Sequence, residues 1–243
     1  MQTPRSTSSK LDRDSDLKKV DPTFYRSMIG SLLYLAASRP NISFCVGICV
    51  RYQVDPREQH FLMVKRVIRY VNSILNYGLC YSSESNFEIA GYIDADWAGN
   101  KDDKKSTSGG CSYVGTNLVS WYNKKQNCIY LSSCEAEYIT ARNCCTQLLW
   151  MKQILMDYGF DQETIAIFCD NTSTSNISKN LVLHSRTKHI DIRYHFLREL
   201  VEQNVVSLEK VHTYQNLADI LTKPLHALKF SYLRKSIGIC CLD

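Results

Sequence analysis

The sequence predicts a mixed α/β sheet domain that follows a small helical module. In the first third of the chain, apolar residues recur at spacings of three and four, which indicates helices. Short apolar segments then alternate with helical patterns in the order β-β-β-α-β-α-α-β-α, typical of α/β and α+β folds. We therefore divide the chain into a flexible lead-in at 1–21, a helical module at 22–80, a sheet domain at 84–225 and a C-terminal tail at 226–243.

The composition is that of a globular chain. Of its 243 residues, 44% are hydrophobic and 22% are charged, close to the average for folded domains. The longest apolar stretches reach about ten residues, whereas a membrane helix needs roughly 20, and the N-terminus lacks the apolar core of a secretory signal. We expect an intracellular protein, cytoplasmic or nuclear, with no membrane partner. The eleven cysteines include no CxxC pair, so we expect them to be reduced and mostly buried.

Three helices are predicted in the helical module. The first covers Phe24–Ala37, and Pro40 ends it because the residue before a proline avoids the helical conformation. We expect Asn41 or Ser43 to cap the second helix. The third begins at Pro56 and carries an apolar stripe on one face.

Positive charge is concentrated near the N-terminus. Residues 1–75 carry twelve Lys/Arg against six Asp/Glu, while residues 76–243 carry seventeen against eighteen. This asymmetry indicates an anionic polymer as a partner. In the third helix, Lys65, Arg66 and Arg69 lie mostly off the apolar stripe. They form either a phosphate-binding surface or an ordinary solvated face.

Strands and helices then alternate in the sheet domain, and a tight turn is predicted at Thr116-Asn117. The predicted strands are Phe87–Ile93, Gly110–Gly115, Leu118–Asn123, Thr164–Cys169 and Val205–Val211, with Cys128–Leu131 either a further strand or part of the same meander. The predicted helices run from Ser132 to Gly159, from Asn171 over a short distance, from Arg186 to Gln203 and from Asn216 to Leu221.

Four acidic residues lie among apolar residues. Asp94 and Asp170 each end an apolar strand, which is where open α/β sheets place their ligands. Glu137 lies on the face of the long helix that must pack on the sheet, where an unpaired charge costs several kcal/mol. Asp219 is also flanked by apolar residues. We expect the first three carboxylates to converge within a few ångströms, with Asp219 at the rim.

Clustered buried carboxylates repel one another unless cations neutralise them. Lys or Arg partners are one solution, and Mg²⁺ or Mn²⁺ is the other, because both ions prefer oxygen ligands. Two such ions held by carboxylates are a common device for phosphodiester cleavage. Asp96 shares a face with Asp94 if the strand continues. We prefer Asp94 as the ligand because Gly99 and Asn100 indicate that the strand is ending.

Six motifs stand out in the sheet domain: Gly91–Gly99, Ser106–Gly109, Ser132–Tyr138, Cys169–Asn171, Arg186–Asp191 and Ala218–Pro224. Together they resemble the ribonuclease H region of copia-type retrotransposon Pol polyproteins. The match is collinear from about Tyr25 to Ile237. At its start, Tyr25–Leu35 and the segment 38–42 resemble the helical segment that follows the polymerase palm in those polyproteins.

The resemblance implies a ribonuclease H-like fold with a five-stranded mixed sheet. It also implies Mg²⁺-dependent hydrolysis of the RNA strand of RNA–DNA hybrids during retrotransposon reverse transcription. Carried over motif by motif, the ligands of two Mg²⁺ ions, or Mn²⁺ in their place, would be Asp94, Glu137, Asp170 and Asp219. His212 corresponds loosely to a histidine of cellular relatives.

The polymerase active site of a reverse transcriptase is not found in this sequence. Such a site needs two adjacent aspartates on a hairpin, and Asp102-Asp103 lies in a polar loop instead. We therefore expect a C-terminal piece of the polyprotein, with its polymerase and integrase parts as partners. The alternative is a catalytically idle, co-opted fragment that acts as a nucleic-acid-binding or effector-like interaction protein.

A second basic segment lies beside the predicted catalytic strands. From Lys179 to Arg198 the chain has five Lys/Arg and three His against one acid. Proteins bind nucleic-acid hybrids largely through backbone contacts, so this segment either holds the DNA strand or forms a solvated helix. The candidate contacts here are Arg186, Lys188, His189 and Arg193.

Overall fold

One mixed sheet organises the fold. The computed structural model describes residues 2–7, 11–13, 16–172 and 191–241, and within this part the side chains of 191–195 are not described. The helices are α1 (Pro22–Ala36), α2 (Pro40–Val50), α3 (Glu58–Asn72), α4 (Ser133–Asp157), α5 (Asp191–Glu202) and α6 (Ala227–Ser236). The strands are β1 (Tyr77–Leu79), β2 (Ile89–Asp96), β3 (Thr107–Val114), β4 (Asn117–Lys125), β5 (Ile165–Cys169), β6 (Val206–Lys210) and β7 (Ile239–Cys241), and a 3-10 helix covers Leu217–Leu221.

The five central strands have the order β4-β3-β2-β5-β6. Strand β3 pairs antiparallel with both β4 and β2, whereas β2 pairs parallel with β5, and β5 pairs parallel with β6. The predicted five-stranded mixed sheet is therefore confirmed. Tyr92 pairs with Phe168 in the β2–β5 ladder. Asp94 lies two residues after Tyr92, and Asp170 lies two residues after Phe168. The two aspartates therefore lie side by side at the same edge of the sheet.

Each face of the sheet has its own apolar core. On one face, α4 and α5 contribute Leu148 and Leu197, which pack with Ile93 and Ile167 of the central strands. On the other face, α1, α2, α3 and α6 share a core with Cys111 and other residues of β3 and β4. The helical module therefore packs directly on the sheet domain.

The two ends of the chain make ordered contacts in the described residues. In the lead-in, Val20 N donates a hydrogen bond to Pro56 O at 3.0 Å, and Arg5 is buried. The predicted tail contains α6 and β7, and β7 pairs antiparallel with β1. The ladder between β1 and β7 joins the end of the helical module to the last described residues.

The second helix begins differently from the prediction. Pro40 is its first residue, and its N-cap, Arg39, makes no side-chain capping hydrogen bond. Capping by Asn41 or Ser43 is therefore wrong. Proline suits the first helical turn because it has no N–H to leave unpaired. The Asn41 side chain instead donates from Nδ2 to Tyr70 Oη at 2.8 Å.

The β3–β4 hairpin also differs from its prediction. Its turn is Gly115-Thr116, one residue before the predicted pair, because Gly115 adopts a φ of 57° that a glycine tolerates easily. Strand β4 extends to Lys125, and residues 128–131 form neither a strand nor a continuation of one. The short helix predicted from Asn171 lies mostly outside the described residues.

The expectation of reduced cysteines is wrong for one pair. Cys80 and Cys240 form a disulfide that joins the segment after β1 to β7. Most of the free cysteines are buried, as expected for cysteines that serve as small apolar residues. No helix in the described ranges is both long enough and apolar enough to cross a membrane.

Candidate active site

Four carboxylates converge at one edge of the sheet, and we call them the carboxylate cluster: Asp94, Glu137, Asp170 and Asp219. One carboxylate oxygen of each of Asp94, Asp170 and Asp219 lies within 4.8 Å of the other two. A second group with the same spacing joins Glu137 and Asp170 to the sulfur of Cys169. Asp170 belongs to both groups and connects them. The predicted convergence is therefore present for Asp94 with Asp170 and for Glu137 with Asp170.

Asp94 lies at the carboxyl end of β2 and is 2% exposed. Its Oδ2 accepts a hydrogen bond from Thr222 Oγ1, and its Oδ1 lies 3.2 Å from Lys223 Nζ. Burial raises the pKa of Asp94 to about 6, although the Lys223 ammonium opposes this rise. The carboxylate is therefore held by residues that follow the 3-10 helix.

The position of Asp219 differs from the prediction that it lies at the rim. It is fully buried in the 3-10 helix, whereas Asp170 is half-buried. Lys229 Nζ contacts Asp219 Oδ2, and Lys223 Nζ lies 2.8 Å from Asp219 Oδ1. Among the described residues, Asp219 Oδ1 receives no hydrogen bond beyond this ion pair with Lys223.

A close approach of the 3-10 helix to the sheet places Asp219. Asn216 caps that helix by accepting a hydrogen bond from Ala218 N at 3.2 Å. Facing it, β3 has Gly109, where a Cβ would lie 2.5 Å from Thr222 Cγ2. A side chain at this position would therefore push the 3-10 helix away from the sheet.

Asn216 also connects the sheet to Asp170. Its Nδ2 donates a hydrogen bond to Ile93 O at 2.8 Å and a longer one to Asp170 Oδ1 at 3.4 Å. Because Asn216 is fully buried, this amide holds the half-buried Asp170 against β2.

Glu137 reaches the carboxylate cluster from α4, on the opposite face of the sheet. Ser132 caps this helix and accepts a hydrogen bond from Glu135 N at 3.2 Å. The thiol of Cys169 donates to Glu137 Oε2 at 2.9 Å. Burial raises the pKa of Glu137 to about 7, and the hydrogen bond from Cys169 limits the rise. Burial also raises the pKa of the Cys169 thiol, so this sulfur is a protonated donor.

Asp96 lies outside the carboxylate cluster, although β2 extends to it and places it on the same face as Asp94. It is the last residue of β2, and its Oδ2 would lie only 1.8 Å from a Cβ placed on Gly99. Together with Gly99, Asp96 lines a pocket that also contains Arg5 and Arg51. The geometry therefore favours Asp94 over Asp96 as the ligand.

The donor set of the carboxylate cluster fits hard divalent ions. All four carboxylates present oxygen, and the one sulfur nearby keeps its proton. Asp219 Oδ1 is a buried anionic oxygen that faces the Lys223 ammonium at 2.8 Å, so this position already accommodates a cation. Oxygen-rich sites of this kind suit Mg²⁺ and Mn²⁺.

Sequence reasoning missed the two lysines that neutralise part of the carboxylate cluster. Lys223 is four residues after Asp219, and Lys229 comes from the first turn of α6. The spacing of Asp219 and Lys223 is a recognisable signal for an ion pair on a helix. The contact between Lys223 and Asp94, in contrast, spans 129 residues and has no local signal.

The three basic residues of α3 do not share one environment. Lys65 is exposed, and its Nζ lies 4.3 Å from the centre of the Phe61 ring. Arg69 is also exposed, whereas Arg66 is half-buried and donates from Nη2 to Thr3 Oγ1 at 3.3 Å. Only Lys65 and Arg69 present their charge to solvent.

The second basic segment lies mostly outside the described residues. Arg186, Lys188 and His189 fall in the part of the chain that is not described. Arg193 falls within α5, but its side chain is also outside the described part. His212 is exposed after β6, and its Nδ1 accepts a hydrogen bond from Tyr214 N at 3.2 Å.

A basic pocket that sequence reasoning missed lies between β4 and α4. Its volume is about 200 Å³, and Lys124, Arg142 and Asn143 contribute to its lining. Arg142 Nε is buried and has no hydrogen-bond partner in the described residues. Ile139 of α4, two residues after Glu137, also lines this pocket.

Comparisons with known proteins agree with this architecture. The chain is 39% identical over 238 residues to the retrovirus-related Pol polyprotein from transposon RE1 of Arabidopsis thaliana, an alignment that covers 98% of this chain and 16% of the polyprotein. It is 37% identical over 216 residues to the corresponding polyprotein of transposon TNT 1-94 of Nicotiana tabacum, covering 88% of this chain and 16% of that protein. The chain belongs to the Pol polyproteins of copia-type retrotransposons. It spans about a sixth of the length of these family members.

A shorter relative has a different description. The secreted RxLR effector protein 161 of Plasmopara viticola is 36% identical over 128 residues, which cover 52% of this chain and 90% of that protein. No family model matches the chain.

Two solved structures resemble the chain to different extents. The foamy viral protease-reverse transcriptase, solved with an RNA/DNA hybrid, superposes with a TM-score of 0.55 at 12% identity, covering 88% of this chain and 27% of that one. LC11-RNase H1 from compost gives a TM-score of 0.44 at 13% identity, covering 56% of this chain and 93% of that one. The Pol polyprotein chain described here has a ribonuclease H-like fold.

Proposed function

We propose that this chain hydrolyses the RNA strand of RNA–DNA hybrids with two divalent ions, as the ribonuclease H part of a retrotransposon reverse transcriptase. The observation that carries the proposal is the convergence of Asp94, Glu137, Asp170 and Asp219 in two overlapping groups. Membership in the Pol polyprotein family supports the same activity.

In this proposal the carboxylate cluster holds two Mg²⁺ ions, with Mn²⁺ as a substitute. Asp94, Asp170 and Asp219 form one set of ligands, and Glu137 and Asp170 form the other. When bound, the ions supply a Lewis acid at the scissile phosphate and lower the pKa of a water molecule for in-line attack.

The surrounding residues position these carboxylates. Thr222 and Asn216 donate hydrogen bonds to Asp94 and Asp170, and Lys229 holds Asp219 from behind. Such fixed partners reduce the reorganisation needed when substrate binds. In the metal-free protein, burial raises the pKa of Glu137 to about 7, so an ion that binds this carboxylate near neutral pH would displace a proton.

We further propose that basic residues outside the carboxylate cluster hold the hybrid by its phosphates. Lys65, Arg66 and Arg69 of α3 are the sequence candidates, and the pocket containing Lys124 and Arg142 adds a second basic surface. Arg186, Lys188, His189 and Arg193 remain predictions of the same kind. Phosphate contacts supply most of the salt-dependent affinity of such complexes.

The test is cleavage of a hybrid with labelled RNA by the purified chain in Mg²⁺. We expect cleavage of the RNA strand in the hybrid, none in single-stranded RNA, and none after chelation of the metal. D94N, purified in parallel, controls for contaminating ribonucleases. Hybrid cleavage that persists in D94N, or that does not need a divalent ion, would contradict the proposal.

One comparison favours a second candidate function. The relative named as a secreted RxLR effector is matched over 90% of its length, so a catalytically idle, effector-like interaction protein is the second candidate. In that case the wild-type chain and D94N would bind hybrid equally and neither would cleave it.

A further inference from the structure

Lys223 occupies the oxygens that a divalent ion would need. The second oxygen of Asp94 is taken by Thr222, and the second oxygen of Asp219 is taken by Lys229. The remaining oxygens are Asp94 Oδ1 and Asp219 Oδ1, and Lys223 Nζ lies 3.2 Å and 2.8 Å from them. A cation that binds both of these Oδ1 atoms must therefore displace the ammonium of Lys223.

Lys223 and Lys229 differ in how firmly they are held. Lys229 Nζ also donates to the carbonyl of Thr213 at 3.0 Å, and its side chain is 12% exposed. The side chain of Lys223 is 30% exposed, and no backbone acceptor is found for its ammonium in the described chain. A lysine stem is flexible and its charge is compact, so Lys223 can withdraw toward solvent while Lys229 stays in place.

We propose that Lys223 is an internal counter-ion that competes with the first divalent ion for Asp94 and Asp219. Without metal, its ammonium neutralises the two carboxylates and keeps their side chains in position. Metal binding displaces the ammonium toward solvent. This inference rests on the proposed two-ion function and adds a residue that sets the affinity for the ion.

The competition is tested by Mn²⁺ titration calorimetry at fixed pH without nucleic acid. We expect K223Q to bind Mn²⁺ about tenfold more tightly than the wild-type chain. The ammonium of Lys223 repels an ion at the same carboxylates, and K223Q removes this repulsion. K223R keeps the charge and should stay near the wild-type affinity. K229Q removes a charge that stays with the other oxygen of Asp219 when the ion binds, so it should raise the affinity by less than K223Q does.

Unchanged or weaker Mn²⁺ binding by K223Q would overturn the inference, and so would an equal gain in K229Q, since that would indicate a general charge effect. D94N distinguishes a failure of the proposed metal site from a failure of the proposed role of Lys223. If D94N binds Mn²⁺ as well as the wild-type chain, the proposed metal site is wrong. If D94N loses binding while K223Q behaves as wild type, only the role of Lys223 is wrong. Should K223Q not fold, K223M keeps the stem and is subject to the same criteria.

Discussion

The carboxylate cluster and the basic face of α3 hold charge in opposite ways. Asp94 and Asp219 are buried and held by ion pairs with Lys223 and Lys229. Lys65 and Arg69 are exposed on a helix surface, where solvent screens them. A buried charge depends on each of its partners, so one substitution there has a large effect. Exposed charges act additively, and each contributes little.

The largest expected effect is at Asp94. D94N should reduce Mg²⁺-dependent hydrolysis of a labelled hybrid by at least about a thousandfold, because the neutral amide removes a metal ligand. The stability of the metal-free protein should stay level or rise, since burial already disfavours the charge of Asp94. D96N is the matched control and should change the cleavage rate by less than about threefold, since Asp96 lies outside the carboxylate cluster. Equal losses of cleavage rate in D94N and D96N would contradict the assignment of Asp94, rather than Asp96, as the metal ligand.

A smaller effect is expected on the basic face of α3. Replacing Lys65, Arg66 and Arg69 together by glutamine should weaken hybrid binding and flatten its dependence on salt by roughly one unit per lost contact. We expect most of the loss from Lys65 and Arg69, because Arg66 is half-buried. Cleavage at saturating substrate should hardly change. Hybrid affinity measured at three salt concentrations tests this. If the slope of affinity against salt concentration does not change, α3 makes no phosphate contacts and only packs against the rest of the protein.

The pKa values of Asp94 and Glu137, raised to about 6 and about 7, predict how stability depends on pH. A raised pKa means that the neutral form favours the fold. This contribution is complete below the pKa of the unfolded chain, about 4, and is lost as pH rises through 6 to 7. The metal-free protein should therefore melt at a lower temperature at pH 8 than at pH 5, by about 2–4 °C per kcal/mol lost.

Two controls sharpen the pH prediction. In the double variant D94N/E137Q the difference in melting temperature between pH 5 and pH 8 should shrink, because the two titrating groups are gone. In the wild-type chain, saturating Mg²⁺ should stabilise the protein more at pH 8 than at pH 5, since ions bind the ionised carboxylates. If the wild-type chain and D94N/E137Q show the same change in melting temperature with pH, other titrating groups cause the change.

The smallest effects come from a matched pair of glycines. G109A should destabilise the protein by about 1–3 kcal/mol and lower its activity, because the new Cβ would collide with Thr222 beside Asp94. Gly30 lies within α1, and a Cβ added there would have no atom within 4 Å. G30A should therefore stabilise by about 0.5–1 kcal/mol. Thermal unfolding of both variants measures this, and a neutral G109A would mean that the 3-10 helix approaches less closely.

Much of the carboxylate cluster follows from local pattern. Asp94 and Asp170 end apolar strands, and Glu137 lies on the buried face of α4, so an acid in each place signals a function. Parallel pairing of β2 and β5 then brings the strand ends together. The burial of Asp219 has no comparable local signal, because it depends on how closely the 3-10 helix packs over Gly109.

The remaining errors have physical reasons of the same kind. Proline at position 40 predicts the end of one helix, although it is equally suited to start the next. Spacing groups Arg66 with its basic neighbours, but the contact with Thr3 in the lead-in brings it inward. The pairing of Cys80 with Cys240 joins residues 160 positions apart. Contacts between distant segments leave no periodic signal in a sequence.

The most direct measurement of the central claim is anomalous diffraction from crystals grown with Mn²⁺ and a hybrid. The account predicts two manganese peaks at the carboxylate cluster, one contacting Asp94 and Asp219 and the other contacting Glu137, with Asp170 between them. It also predicts that the ammonium of Lys223 has left Asp94. Peaks at other residues, or an absence of manganese while Lys223 keeps both ion pairs, would contradict the account.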